Sequence, residues 1–140
     1  MNLKRILDIY EVIKKRLPKT YPRPKLAFYQ DEECMLDNHK VRKYSHESVF
    51  AVVDPSTNTI NLPMKITLST DLDDKVVEKT ILINRQAEIE IAEILLHELA
   101  HMYAGYRYGW SSDQYFDEKY CDRFAIRWLK VLCNEDLLRS

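Results

Sequence analysis

Residues 91–105 read IAEILLHELAHMYAG, with His97-Glu98-Leu99-Ala100-His101 at their centre. No Gly or Pro occurs between Asn84 and Ala104. Ile91, Ile94, Leu95, Leu99 and Met102 recur at helical spacing, which predicts an amphipathic helix. On that helix His97 and His101 leave one face a single turn apart, the spacing that suits two ligands of one tetrahedral Zn²⁺. Glu98 stands beside them, where a carboxylate reaches a metal-activated water rather than the metal and serves as general base. Asn84 is a candidate cap for the start, with Glu88 and Glu90 in the early turns, and Gly105 is placed to end the helix in a left-handed cap. The bland alternative is an ordinary helix that happens to carry two histidines and a glutamate. The coincidence of motif, helix and downstream carboxylates favours the metal.

The rest of the composition narrows the setting. A chain of 140 residues suggests one domain, 1–140, and 46% hydrophobic with 31% charged residues is an ordinary globular balance. Lys and Arg number 21 against 22 Asp and Glu, a net charge of −1, which argues against a broad basic surface for nucleic acid. The two glycines, Gly105 and Gly109, make no phosphate-binding loop. Cys34, Cys121 and Cys133 are odd in number and widely spaced, so reduced thiols are expected rather than a disulfide framework. No run has the length of a membrane span. Asp8 and Glu11 interrupt the N-terminal apolar pattern, so no signal core is read there, and a cytoplasmic location is expected.

Along the chain, Leu3, Ile6, Leu7, Tyr10, Ile13 and Leu17 form an apolar stripe that predicts a helix over 2–17, ended by Pro18. Residues 25–30 read as a strand, and 31–47 as an irregular polar stretch holding Cys34, His39 and His46. Residues 48–53 and 57–62 are β-rich and flank Asp54-Pro55-Ser56, the signature of a hairpin. Residues 64–69 and 76–83 either form a second hairpin or extend the first. Ser112 or Asp113 can cap a last helix over about 114–134, whose apolar positions include Phe116, Tyr120, Phe124, Ile126, Trp128, Leu129, Val131 and Leu132. That face could feed a core or a dimer interface, and the oligomeric state is left open.

A catalytic zinc commonly takes three protein ligands plus water. No His follows His101, and a third histidine six residues on is excluded because position 107 is Arg. A carboxylate from the following helix remains, with Asp113, Asp117, Glu118 and Asp122 available. Glu118 and Asp122 are four apart on one helical face, so Glu118 could bind zinc while Asp122 accepts a hydrogen bond from the far ring nitrogen of His97 or His101. The bland reading of Glu118 is a solvated charge.

At these residues a family resemblance enters. HELAH followed by Glu118-Lys119-Tyr120-Cys121-Asp122-Arg123-Phe124-Ala125 resembles the ExxADxFA signature of gluzincin peptidases, found in the prenyl-protein and HtpX-like proteases. It is also similar to the form carried by the soluble ImmA/IrrE proteins. Glu118 matches the ligand position and Asp122 the orienting carboxylate; Cys121 stands where Ala is usual, and Tyr120 where many ImmA/IrrE proteins have a second Glu. The resemblance implies an α+β, zincin-like fold: an N-terminal helix, a small, mostly antiparallel twisted sheet, the HExxH helix, and a C-terminal helix with the third ligand. It implies a zinc metalloendopeptidase with one Zn²⁺ and a peptide or protein substrate. A strand edge, with residues 50–53 and 64–69 as candidates, could hold the substrate by β-addition. Tyr103, Tyr106, Tyr108, Tyr115 and His46 are hydroxyl or imidazole donors for a developing oxyanion, none singled out. Cys34 could cap the zinc in a latent form. The competing expectations are a zinc-containing protein-binding or regulatory domain with little or latent proteolysis, and hydrolysis of a non-peptide amide or ester.

Overall fold

In the N-terminal helix α1 (Lys4–Arg16), Ile6, Ile9, Tyr10 and Ile13 are buried, with Leu17 just beyond its end. The spacing is helical, but the stripe is rotated from the expected one: Ile9 lies inside and Leu7 is 43% exposed. Leu17 is extended and Pro18 follows, which stops the helix. The tyrosine hydroxyl of Tyr10 donates to the Pro24 carbonyl and ties α1 to the next connection.

The computed structural model describes residues 3–29, 52–72 and 75–139. Residues 30–51, and with them Cys34, His39 and His46, lie outside the described residues. After α1 come β1 (Lys25–Tyr29), β2 (Val52–Asp54), β3 (Thr59–Pro63), β4 (Lys65–Leu72) and β5 (Lys75–Leu82). A 3₁₀ turn (Ile83–Arg85) leads into α2 (Glu88–Tyr108), the short α3 (Asp113–Phe116) and α4 (Glu118–Asn134).

The architecture is α+β with a small mixed sheet of order β1-β3-β2. The β2–β3 pair is the expected antiparallel hairpin. In its turn the Asp54 carboxylate accepts from the Ser56 amide and hydroxyl at 3.1 and 2.6 Å, and Asn58 takes a positive φ of 51°. β1 runs parallel to β3, from Lys25 opposite Thr59 to Tyr29 opposite Pro63. A mostly antiparallel sheet is therefore not what forms around β3. Its hydrophobic pattern carries no direction: a run such as Ile60-Asn61-Leu62-Pro63, buried at every position, fits a central strand with neighbours of either sense. β4 and β5 form a separate antiparallel pair rather than extending this sheet.

Helix α2 is the centre of the molecule. It contacts α1, α3, α4, β2 and β3. Ile91, Ala92, Leu95, Leu96, Leu99, Met102 and Ala104 are buried, a spread wider than one stripe, as expected of a helix covered on several sides. The leucines of its middle turns join α1, Ile60, Leu62, Ala125 and Leu132 in one core. Each such side chain contributes roughly 1.5–3 kcal/mol on burial. Where α2 crosses α4, Ala100, Cys121 and Phe124 pack together, and Tyr21, Tyr103 and Trp128 surround them. Small side chains at 100 and 121 let the two backbones approach.

Both helix boundaries near the site differ from expectation. Asn84 lies in the 3₁₀ turn, and Ala87 occupies the cap of α2 without a side-chain bond. Gly105 does not end α2, which runs on to Tyr108 and stops at Gly109, with φ of 106°. Gly105 has a packing role instead. The Trp110 indole folds back against it, and a Cβ at 105 would come within 2.1 Å of two ring carbons.

Candidate metal centre

Two helices build this site. α2 supplies His97, Glu98 and His101; α4 supplies Glu118, Cys121 and Asp122, which share one face at i, i+3 and i+4. The start of α4 is fixed by Asp117, whose carboxylate accepts from the Lys119 and Tyr120 amides at 2.9 and 3.2 Å. The expected cap residue Ser112 instead starts α3, accepting from the Tyr115 amide at 3.2 Å. The predicted single last helix is thus split at Asp117, which sets Glu118 in the first turn of α4.

His97 Nδ1 lies 2.8 Å from Asp122 Oδ1, and its Nε2 lies 2.7 Å from Glu118 Oε2. His101 Nδ1 lies 2.5 Å from the Tyr115 carbonyl oxygen, and its Nε2 lies 3.2 Å from Glu118 Oε1. A backbone carbonyl only accepts, so His101 Nδ1 donates to Tyr115; His97 lies between two carboxylates, and Asp122 can accept from its Nδ1. Both Nε2 atoms face the two oxygens of one carboxylate. Lone pairs cannot face a carboxylate at 2.7 Å without a cation between them, either a proton or a metal ion.

The donor chemistry fits a metal. Two imidazoles and a carboxylate are zinc ligands, and around a tetrahedral ion with bonds of ~2.0–2.1 Å neighbouring donor atoms stand ~3.3 Å apart. His101 and Glu118 already have that spacing. His97 and Glu118 are closer, and the Glu118 side chain, 69% exposed, is free to draw back. Asp122 and the Tyr115 carbonyl hold the imidazoles by their far nitrogens, as metal-binding histidines require. A hydrogen-bond network with no ion, in which Glu118 accepts from both rings, gives the same contacts; the metal reading is favoured by the donor set and by the partners on both Nδ1 atoms.

Glu98 is buried at 8% exposure on the same helix. Burial, and next the charge of Glu118, hold its carboxyl well above the usual carboxylate range. Tyr115 also reaches the site. Its ring lies 5.9 Å from that of His101, and its phenol is raised first by burial and then by the charges of Glu98 and Asp54. Cys121 is fully buried, its thiol pushed up by burial and then by Glu118 and Glu98. Donor atoms of His97, His101 and Cys121 all lie within 4.8 Å of one another.

The expected site residues His97, Glu98, His101, Glu118 and Asp122 are therefore brought together, with Asp122 on His97 rather than His101. Two participants were not singled out by the sequence. The Tyr115 carbonyl has no sequence signal, because every residue has one. Cys121 had one, its place between Glu118 and Asp122, but it reads as a small packing residue. Cys121 and Cys133 are free thiols. No helix among the described residues is long and apolar enough to cross a membrane. No protein-family model, curated protein or solved structure matches this chain.

Proposed function

We propose that this chain is a zinc-dependent peptidase of gluzincin type with a zincin-like domain. His97, His101 and Glu118 hold one Zn²⁺, and Asp122 and the Tyr115 carbonyl orient the two imidazoles. The observation that carries the reading is the convergence of both Nε2 atoms on the Glu118 carboxylate, with each Nδ1 already engaged. A bound Zn²⁺ would acidify a water molecule and polarise a scissile carbonyl. Glu98 is the carboxylate available to take the proton on one of its oxygens and return it to the leaving amine. A site built only for structure has no use for a carboxylate next to the first ligand.

The chain's own residues also suggest how a substrate would lie. Among the described residues β2 is an edge of the sheet, and it packs against α2. Asp54 at its end is near enough to raise the Tyr115 phenol. An extended peptide added along that edge would lie beside α2, with Tyr115, whose ring is 5.9 Å from that of His101, a hydroxyl available to charge developing on its carbonyl oxygen. The substrate class is therefore a peptide or protein. The second reading, a regulatory zinc domain with latent proteolysis, is favoured by one observation: the Cys121 thiol lies within reach of the same histidines.

The test is Glu98→Gln. It keeps shape and metal ligands and removes the base, so zinc content stays at the wild-type level while cleavage of a general protein substrate such as casein falls at least ~10²-fold. Unchanged cleavage would overturn the mechanism.

A further inference from the structure

Cys121 occupies the crossing of α2 and α4, one turn after Glu118 and directly before Asp122. Its neighbours Ala100 and Phe124 are apolar, and nothing in that packing requires a sulfur. The metal centre can use one. A tetrahedral ion with Zn–N of ~2.0–2.1 Å and Zn–S of ~2.3 Å places nitrogen and sulfur donors ~3.6 Å apart. Donor atoms of His97, His101 and Cys121 lie within 4.8 Å of one another, about an ångström above that spacing. Soft thiolate is among the preferred donors for zinc.

We propose that Cys121 is a further metal ligand, so that the resting ion is held by four protein donors: His97, His101, Glu118 and Cys121. The inference rests on the metal-centre reading above and deepens it. Four protein donors are the composition of a closed site, whereas an open one keeps a position for water. Water enters such a site only when one of the four donors gives up its position. On coordination the S–H bond breaks, a sulfur–metal bond forms, and the proton leaves to solvent.

The experiment uses the full chain loaded with Co²⁺ in place of zinc and read by absorption. Thiolate bound to Co²⁺ gives an intense near-ultraviolet charge-transfer band; nitrogen and oxygen ligands do not. Wild type is expected to show that band at one thiolate per ion. Cys121→Ala, and Cys121→Ser as the volume-preserving variant, lose it while still binding Co²⁺, as seen in the weaker visible bands. Cys34→Ser and Cys133→Ser keep it. Bound Co²⁺ without the band in wild type, or a band that survives in both Cys121 variants, would overturn the assignment while leaving the histidine–carboxylate centre standing. Failure of wild type to bind Co²⁺ or Zn²⁺ at all would overturn the centre itself, so the two failures are told apart.

Discussion

Removing the carboxylate of Asp122 should loosen the metal without touching a ligand proposed for it. Asp122 Oδ1 is 2.8 Å from His97 Nδ1, where it can accept the ring hydrogen and turn Nε2 towards Glu118. Asp122→Ala frees the ring to rotate and to put its hydrogen on Nε2. Loss of such a partner commonly costs ~10–100-fold in metal affinity. At ~1.4 kcal/mol per factor of ten that is ~1.4–2.8 kcal/mol. The lower half applies here, because Asp122 is 61% exposed and a water can replace it, while His101 keeps a backbone carbonyl that no substitution removes. Asp122→Asn should lose less, since its amide oxygen still accepts. Competition with a chromophoric chelator gives the affinities, and circular dichroism checks that the fold is kept. Equal zinc affinity in wild type and Asp122→Ala would refute the claim that Asp122 orients a ligand.

Other substitutions test the frame around the centre. Gly105→Ala adds helix propensity of ~1 kcal/mol but forces the Trp110 indole off α2, an overpacking cost of ~1–3 kcal/mol. The net should be a small loss of stability, with tryptophan emission shifted to the red; an unchanged spectrum would contradict the contact. Asp117→Ala removes the cap of α4 and should cost ~0.5–2 kcal/mol in denaturant unfolding, whereas Asp117→Asn should be nearly neutral. The Asp54 carboxyl is held below the usual range, first by its Ser56 hydrogen bond. Its stabilising effect is therefore present above the unfolded-state pKa and lost as pH falls through the folded one. Asp54→Asn should flatten the acid limb of the stability profile, and an unchanged limb would refute the turn's role.

Much of this centre was legible in the chain because it is written in helical periodicity. HELAH places two histidines on one face, and Glu118 and Asp122 repeat the four-residue step on the next helix. Features that depend on how helices meet were not legible. Which histidine takes Asp122 is decided by the α2–α4 crossing, and the same crossing brings the Cys121 sulfur towards His97 and His101. The Tyr115 carbonyl depends on the break between α3 and α4, where Asp117 ends one and caps the other. Gly105 read as a helix stop because glycine often is one; the reason for it, an indole five residues on, is a tertiary contact. Leu7 and Ile9 exchanged places because both are apolar and neighbouring stripes of α1 differ by a modest rotation. The parallel pairing of β1 with β3 joins strands far apart in sequence, and no local pattern announces its direction.

The central claim is that His97, His101 and Glu118 converge on one metal ion. Zinc titration of the purified chain, followed by elemental analysis, tests it most directly. One ion should bind per wild-type chain, and Glu118→Ala should bind at least ~10-fold more weakly, as expected when a ligand is lost. A wild-type chain that takes up no zinc, or a Glu118→Ala variant that binds it with undiminished affinity, would contradict the account.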